Sequence, residues 1–346
     1  MVVSFAVEHR CWNRVALHHL AYYPVREKFP ALGSQMICNA IKRVADGYKT
    51  LNSNKGIAKN KPVKSLLFTP KAIHFDKRTY SIKGDNFSLY TLDGRIHVGF
   101  VCGEHQTDLL RIGEPKEAEL IVRKGKWFFN LVLDIPNVPV KTEGGVLGVD
   151  VGENNLAATS SGKVCGGEEL RHKRDMYLVQ RGRLQSNGSR AAKRKLCVVS
   201  GRERRHVKHE NHVTSKAIVE EAKRLGVAII AMEDLTHIRA NIKAGKRVRT
   251  RLHRWAFRQL QEFVAYKAHA LGISVVFVDP AYTSQTCCEC KCLGQRKKHL
   301  FFCSCGARRH ADVNAAVNIA WLAWPIGFAR AAVCQPDFAH QGHSWL

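Results

Sequence analysis

The sequence predicts an α/β protein, because helical and strand-like segments alternate through its second half. A helix at about 212–225 leads into an apolar strand at 227–232, and a second helix ending near Leu271 leads into another at 273–278. Strands that are apolar at nearly every position are typical of a sheet covered by helices on both faces. We therefore expect such a sheet in this part of the chain.

The first half has a different pattern. Apolar residues recur at spacings of three and four around 35–48, which predicts helices in the first 60 residues. A basic linker at 55–61 follows, and residues 65–135 then contain short β runs separated by Gly-Asp, Asp-Gly and Lys-Gly-Lys turns. This alternation predicts a small antiparallel barrel or sandwich.

The composition indicates a polyanionic partner. The 346 residues contain 55 Lys and Arg against 29 Asp and Glu, which gives a net charge of +26. Nucleic acid is the leading candidate for such a basic chain, although a merely basic soluble protein would share this charge. The sequence has neither a membrane-length apolar stretch nor a signal-peptide pattern, so we expect a cytoplasmic protein.

Positive charge is concentrated in one segment, residues 171–208. It holds thirteen Lys or Arg: Arg171, Lys173, Arg174, Arg181, Arg183, Arg190, Lys193, Arg194, Lys195, Arg202, Arg204, Arg205 and Lys208. Such a density is at minimum a solvated helical face, and we favour a phosphate-binding surface.

Three acids lie at boundaries between predicted elements. Asp150 follows the apolar run 146–149, Glu233 follows the strand that ends at Met232, and Asp312 begins a helical segment. Acids at strand ends of an α/β sheet can converge on one cleft, where Mg²⁺ or Mn²⁺ would neutralise them. A pair of such ions is the arrangement that hydrolyses phosphodiesters.

Each acid also has an ordinary structural explanation. Asp312 alone could be a helix N-cap, Glu233 could begin a turn, and Asp150 could lie in a strand-end loop. Their joint occurrence with the basic segment favours catalysis.

The cysteines between 287 and 305 predict a structural zinc ribbon. Two cysteine pairs separated by a hairpin-sized segment are typical of a tetrahedral thiolate site, and we assign the zinc to Cys287, Cys290, Cys303 and Cys305. The second pair has one intervening residue where two are usual, so Cys288, Cys292 or His299 could replace a ligand.

Four segments together resemble the TnpB family of transposon-encoded RNA-guided nucleases, which are relatives of the compact type V CRISPR effectors. They are residues 148–157 (GVDVGENNLA), 231–235 (AMEDL), 278–287 (VDPAYTSQTC) and 311–316 (ADVNAA). The ordered set, with a cysteine ribbon between the second and third acids, is more specific than any one motif.

This resemblance implies an RNase H-like (RuvC) nuclease domain in which Asp150, Glu233 and Asp312 bind the divalent metal. It also implies a guide RNA and a target DNA as partners, with base pairing supplying the choice of sequence. The alternatives are a nucleic-acid-binding regulator without cleavage activity and a strand-joining transposase.

The resemblance further implies a division into domains. We expect a helical recognition-like region at 1–60, a β-barrel wedge-like domain at 61–141, and the nuclease domain at 142–324 with its zinc ribbon at about 283–311. A tail at 325–346 would follow. The family usually opens with a further strand and helix, so we expect this chain to begin late relative to it.

Overall fold

The computed structural model describes residues 1–54, 63–68, 72–235, 256–279 and 282–331, with side chains as far as Trp324 in the last helix. The predicted basic linker at 55–61 and most of the predicted tail lie outside the described residues. The chain divides into two units, Met1–Pro136 and Asn137–Leu346. The expected division into three domains and a tail stays a prediction.

Three helices open the first unit, as the spacing of apolar residues predicted. They are α1 (Val2–Glu8), α2 (Arg14–Lys28) and α3 (Ser34–Ser53). Asn13 caps α2, because its side-chain oxygen accepts hydrogen bonds from the backbone amides of Val15 and Ala16. The helices share one apolar core that contains Leu17, Ile41 and Tyr48.

The β-rich part of the first unit consists of six strands and one helix. They are β1 (Ala72–Phe75), β2 (Tyr80–Lys83), β3 (Asn86–Thr91), β4 (Gly94–Gly99), α4 (Glu104–Ile112), β5 (Glu114–Arg123) and β6 (Lys126–Asp134). These strands form two antiparallel sheets of three strands, in the orders β1-β5-β6 and β2-β3-β4.

The predicted barrel is therefore wrong for the residues that the structure describes, which contain no closed barrel. A barrel needs unbroken pairing around its circumference. Here α4 separates β4 from β5, and each hairpin pairs within its own sheet. Aromatic residues from both sheets, including Phe75, Phe87 and Phe129, share one core, so the sandwich alternative describes this region better.

The second unit is built around a five-stranded sheet. Its strands are β7 (Val146–Asp150), β8 (Asn155–Thr159), β9 (Val164–Gly166), β10 (Ile229–Glu233) and β11 (Ser274–Val278), in the order β11-β10-β7-β8-β9. Strands β7, β10 and β11 are parallel, whereas β8 is antiparallel to both of its neighbours. The predicted α/β fold is confirmed.

Helices cover both faces of this sheet, also as predicted. They are α5 (Glu168–Asn187), α6 (Arg190–Arg224), α7 (Phe257–His269) and α8 (Ala311–Ala331). One apolar core joins alternate residues of the strands, such as Leu147 and Ile230, to α6 and α7. The other core joins the intervening residues, such as Ile229, to Ile319 of α8. The helix expected from about His212 is the last part of α6, which begins at Arg190.

The cysteine-rich segment between β11 and α8 contains a small antiparallel sheet of β12 (Gln295–Lys297), β13 (Leu300–Phe302) and β14 (Arg308–His310). Helix α8 begins directly after β14, so the position of this sheet and the start of α8 are linked. No helix in the described ranges is both long and apolar enough to cross a membrane.

Gly148 allows α8 to lie directly against β7. The Cβ of an alanine at this position would come within 1.9 Å of the carbonyl oxygen of Ala316 and 2.6 Å of the amide nitrogen of Ala320. Both contacts are with backbone atoms, which no change of rotamer can relieve. Any side chain at 148 would therefore push the helix away from the strand.

We expect Gly148→Ala to lower the free energy of unfolding by about 3 kcal/mol or more, because it overpacks two backbone segments. Chemical denaturation of the purified protein measures this loss. Gly182→Ala in α5 is the matched control, because the added methyl group would have no atom within 4 Å apart from those of its chain neighbours and of the backbone of its own helix. It should be neutral or stabilise the helix by up to about 1 kcal/mol. Equal effects of the two changes would contradict the close packing of α8.

Candidate functional site

The three predicted acids line one open pocket at the edge of the five-stranded sheet. Asp150 ends β7 and Glu233 ends β10, and the pairing of Val149 with Met232 places these two strand ends side by side. Asp312 comes from the first turn of α8. The pocket measures about 270 Å³ and is lined by Asp150, Val151, Gly152, Glu153, Asn154, Asn155, Glu233, Thr283, Ser284, Arg296 and Asp312.

Burial and mutual repulsion hold the first acid partly protonated. Loss of solvent raises the pKa of Asp150 to about 7, and the charges of Glu233 and Asp312 add to this effect. The Arg296 guanidinium opposes the shift. Burial also raises the pKa of Glu233, whereas the hydroxyl of Thr283 lowers it. The site is therefore short of positive charge.

Asp312 is held through both carboxylate oxygens. Asn155 Nδ2 donates to Oδ2 at 2.7 Å, and an Arg296 guanidinium nitrogen donates to Oδ1 at 2.7 Å. The residue is 7% exposed. These contacts and the position of Asp312 inside the first turn make the N-cap explanation wrong, although the helix dipole still favours an acid there.

The sequence reasoning missed three residues of this pocket that hydrogen-bond to the acids: Asn155, Thr283 and Arg296. Asn155 and Thr283 lie within segments that carry the family resemblance. The sequence therefore marked these segments as important but did not indicate the roles of the two residues. Arg296 lies on β12, and nothing in the sequence indicates that this strand reaches Asp312.

The structure brings the four predicted zinc ligands together. The sulfurs of Cys287, Cys290, Cys303 and Cys305 all lie within 4.8 Å of one another, and the suggested replacements Cys288, Cys292 and His299 are not in this group. Among the metal-ligating atoms of His, Cys, Asp and Glu in the described residues, those of these four cysteines are the one group of three or more that all lie that close together.

The shortened second cysteine pair fits because of a tight turn at Gly306. This residue has a φ of +94°, which favours glycine. Its backbone amide donates to Cys303 O at 3.1 Å. A hydrogen bond from the backbone of Cys305 and another from the thiol of Cys290 lower the pKa of Cys303 to about 6.

Most of the basic segment is exposed on α5 and α6, but two of its arginines are structural. Glu203 of α6 is buried and forms ion pairs with Arg181 at 3.2 Å and Arg174 at 3.9 Å, both on α5. The exposed basic residues are Arg183, Arg190, Lys193, Arg194, Lys195, Arg202, Arg204 and Arg205. The phosphate-binding prediction therefore applies to these, whereas Arg174 and Arg181 hold the two helices together.

Comparison with known proteins identifies the family. Residues 130–239 match the OrfB_IS605 family, described as "Probable transposase", and residues 257–319 match the Cas12f1-like TNB domain. The TnpB-like protein MJ0751 of Methanocaldococcus jannaschii is 29% identical over 73% of this chain and 96% of that protein. The chain belongs to the TnpB family.

Other relatives of this TnpB-family chain are CRISPR effectors. The CRISPR-associated endodeoxyribonuclease Cas12f1 of Sulfoacidibacillus thermotolerans is 27% identical over 88% of this chain and 80% of that protein. A Cas12f1-sgRNA-target DNA complex solved by cryo-electron microscopy aligns with a TM-score of 0.44 and 18% identity, over 89% of this chain and 85% of that chain. The first matched family region contains Asp150 and Glu233, and the second contains Asp312 and the four clustered cysteines.

The electrostatics of the pocket predict a pH-dependent effect of Asp150→Asn. Because the folded-state pKa of about 7 lies above the ordinary value of 3.8, the stability from this group is present below about pH 4 and is lost as the pH rises towards 7. Removing the charge should therefore raise the thermal midpoint of the TnpB-family chain in EDTA at about pH 8, and much less at about pH 4.

The matched control is Asp108→Asn, because Asp108 is an exposed acid of α4. It should change the midpoint little at either pH. A destabilising effect of Asp150→Asn at about pH 8 in EDTA would contradict repulsion among the three carboxylates.

Proposed function

We propose that this chain is a transposon-associated RNA-guided DNA endonuclease in which Asp150, Glu233 and Asp312 bind Mg²⁺ or Mn²⁺. The observation that carries the proposal is that these three carboxylates, which come from three separate elements, line one open pocket. Family membership supports it, since a relative that matches 88% of this chain is named an endodeoxyribonuclease.

The residues of the pocket fit a divalent metal. Carboxylate oxygens are the hard ligands that Mg²⁺ and Mn²⁺ prefer. Burial, together with the charges of Glu233 and Asp312, raises the pKa of Asp150, and a bound cation would favour its ionised form. When bound, such ions activate water and stabilise the oxygen that leaves the phosphodiester.

The side chains around the acids set their orientation. Asn155 and Arg296 each hold one oxygen of Asp312, so that this carboxylate has a defined direction in the pocket. Arg296 is also partly exposed and places positive charge beside the acids. A guanidinium in this position attracts a phosphate group, which an acidic pocket alone would repel.

Guide RNA and target DNA are the proposed partners. The net charge of +26 and the exposed Lys and Arg of α5 and α6 suit a nucleic-acid backbone. Base pairing would then supply the choice of sequence, while the basic surfaces hold phosphates of either strand.

We also propose the finer domain assignments. The five-stranded sheet, with one strand antiparallel between β7 and β9, is compatible with an RNase H-like (RuvC) nuclease domain. The helices of residues 1–60 would form the recognition-like region, and the two three-stranded sheets would form the wedge-like domain.

The four clustered cysteines are proposed to bind one structural zinc ion. Four sulfurs at mutual distances below 4.8 Å can surround one tetrahedral ion. Because α8 begins at the end of this ribbon, the zinc would also help to fix Asp312.

The purified ribonucleoprotein should cleave DNA that matches its RNA, and cleavage should require Mg²⁺. Asp150→Ala should abolish it by removing a metal ligand, while Asp93→Ala in the exposed β3–β4 turn should leave it unchanged. Gel analysis of a labelled target with and without EDTA measures both effects. Tight RNA and DNA binding without strand breakage would instead favour a binding regulator, and joined products would favour a transposase.

Metal analysis of the purified chain should find about one zinc per molecule. Cys303→Ser should reduce the zinc content and the thermal midpoint together, because it removes one ligand from the group. Cys292→Ser is the matched control, since Cys292 is exposed and lies outside the cluster. Equal zinc loss in both variants would contradict the assigned ligand set.

A further inference from the structure

Thr283 connects the loop after β11 to the acidic pocket. The residue is 3% exposed, and its hydroxyl donates a hydrogen bond to Glu233 Oε1. The residue lines the pocket together with the three acids. A buried hydroxyl that donates to a buried carboxylate restricts the rotation of both side chains.

The backbone of Thr283 is itself held by α8. Asn318 Nδ2 donates to Thr283 O at 3.0 Å and to Thr286 O at 2.7 Å. One helical turn earlier, Asn314 Nδ2 donates to Thr286 O at 2.7 Å, and its Oδ1 accepts from Cys288 N at 2.9 Å. Both asparagines are buried, so these bonds are shielded from water and fix the loop on the helix.

Glu233 is restrained from two directions. Gln261 of α7 donates to Glu233 O at 2.7 Å and holds its backbone, while Thr283 holds its carboxylate. A glutamate has three side-chain torsions, and a strand end limits few of them. Without the hydroxyl, the carboxylate would keep its place in the chain but lose its direction in the pocket.

We propose that Thr283 is a positioning residue that orients the Glu233 carboxylate for metal binding, and that Asn318 holds Thr283 in place. This inference rests on the proposed function only in so far as Glu233 binds metal. It assigns α8 a second role, because the helix that contributes Asp312 also orients Glu233 through Asn318 and Thr283.

The test compares Thr283→Val, which keeps the shape and loses the hydroxyl, with Thr283→Ser, which keeps the hydroxyl. Mn²⁺ alone is the probe, and electron paramagnetic resonance of the purified full chain measures its affinity without any cleavage. We expect Thr283→Val to weaken Mn²⁺ binding by about 10- to 100-fold, as is usual for residues that orient metal ligands. Thr283→Ser should stay within about threefold of the unsubstituted chain.

A matched control tests whether any buried hydroxyl gives the same result. Thr214 of α6 is 4% exposed, and Thr214→Val should leave the Mn²⁺ affinity unchanged. If Thr283→Val does not fold, the pair Thr283→Ser and Thr283→Ala repeats the comparison with a smaller side chain. In the Glu233→Ala background, Thr283→Val should have no further effect on Mn²⁺ affinity.

Wild-type Mn²⁺ affinity in a folded Thr283→Val chain would overturn the inference. A Mn²⁺ affinity that depends on Thr283 in a chain that cleaves no DNA would overturn the proposed nuclease activity and leave the positioning role intact. DNA cleavage by the same variants is then measured at increasing Mg²⁺ concentration. The loss of cleavage activity in Thr283→Val should shrink as the concentration rises.

Discussion

The contact between α8 and β7 is the constraint on which the pocket depends. Gly148 lets the two backbones meet without an intervening side chain, and this contact fixes the position of α8 against the sheet. Asp312 in the first turn of the helix then lies beside Asp150 at the end of the strand. Through Asn318 and Thr283, the same helix also reaches Glu233. One packed helix thus contributes Asp312, lies against the strand that ends at Asp150 and contacts Glu233 through Thr283.

This arrangement gathers like charges and must be stabilised elsewhere. Asp150 is raised in pKa by burial and by its two acidic neighbours, which is an unfavourable environment for a carboxylate. The two apolar cores on the faces of the sheet, together with the hydrogen bonds of Asn314 and Asn318, hold the pocket together against that repulsion. Such local electrostatic strain is common where a protein binds cations.

The sequence predicted what depends on local periodicity and on chemistry. The alternation of helices and apolar strands gave the α/β sheet, and the spacing of the cysteines gave the four sulfurs that meet. The barrel prediction failed because turns and alternating apolar residues specify single hairpins. They do not specify the pairing between hairpins that would close a barrel. Arg296 could not be predicted, since its contact with Asp312 depends on how a hairpin folds back over α8. The structural roles of Arg174 and Arg181 could not be predicted either. Their ion pairs with Glu203 join two helices, and such pairs produce no periodic pattern in the sequence.

The length of α6 has a geometric consequence. Asn211 of this helix donates a hydrogen bond to Gln259 of α7. Two residues later in α7, Gln261 donates to the backbone of Glu233, so the part of α6 around Asn211 lies at the pocket end of the sheet. From there back to Arg190, about 30 Å of unbroken helix extends with its exposed arginines and lysines, a span of about nine base-pair steps. Because the helix is continuous over this span, a duplex lying along it would meet the pocket at a distance set by the number of helical turns.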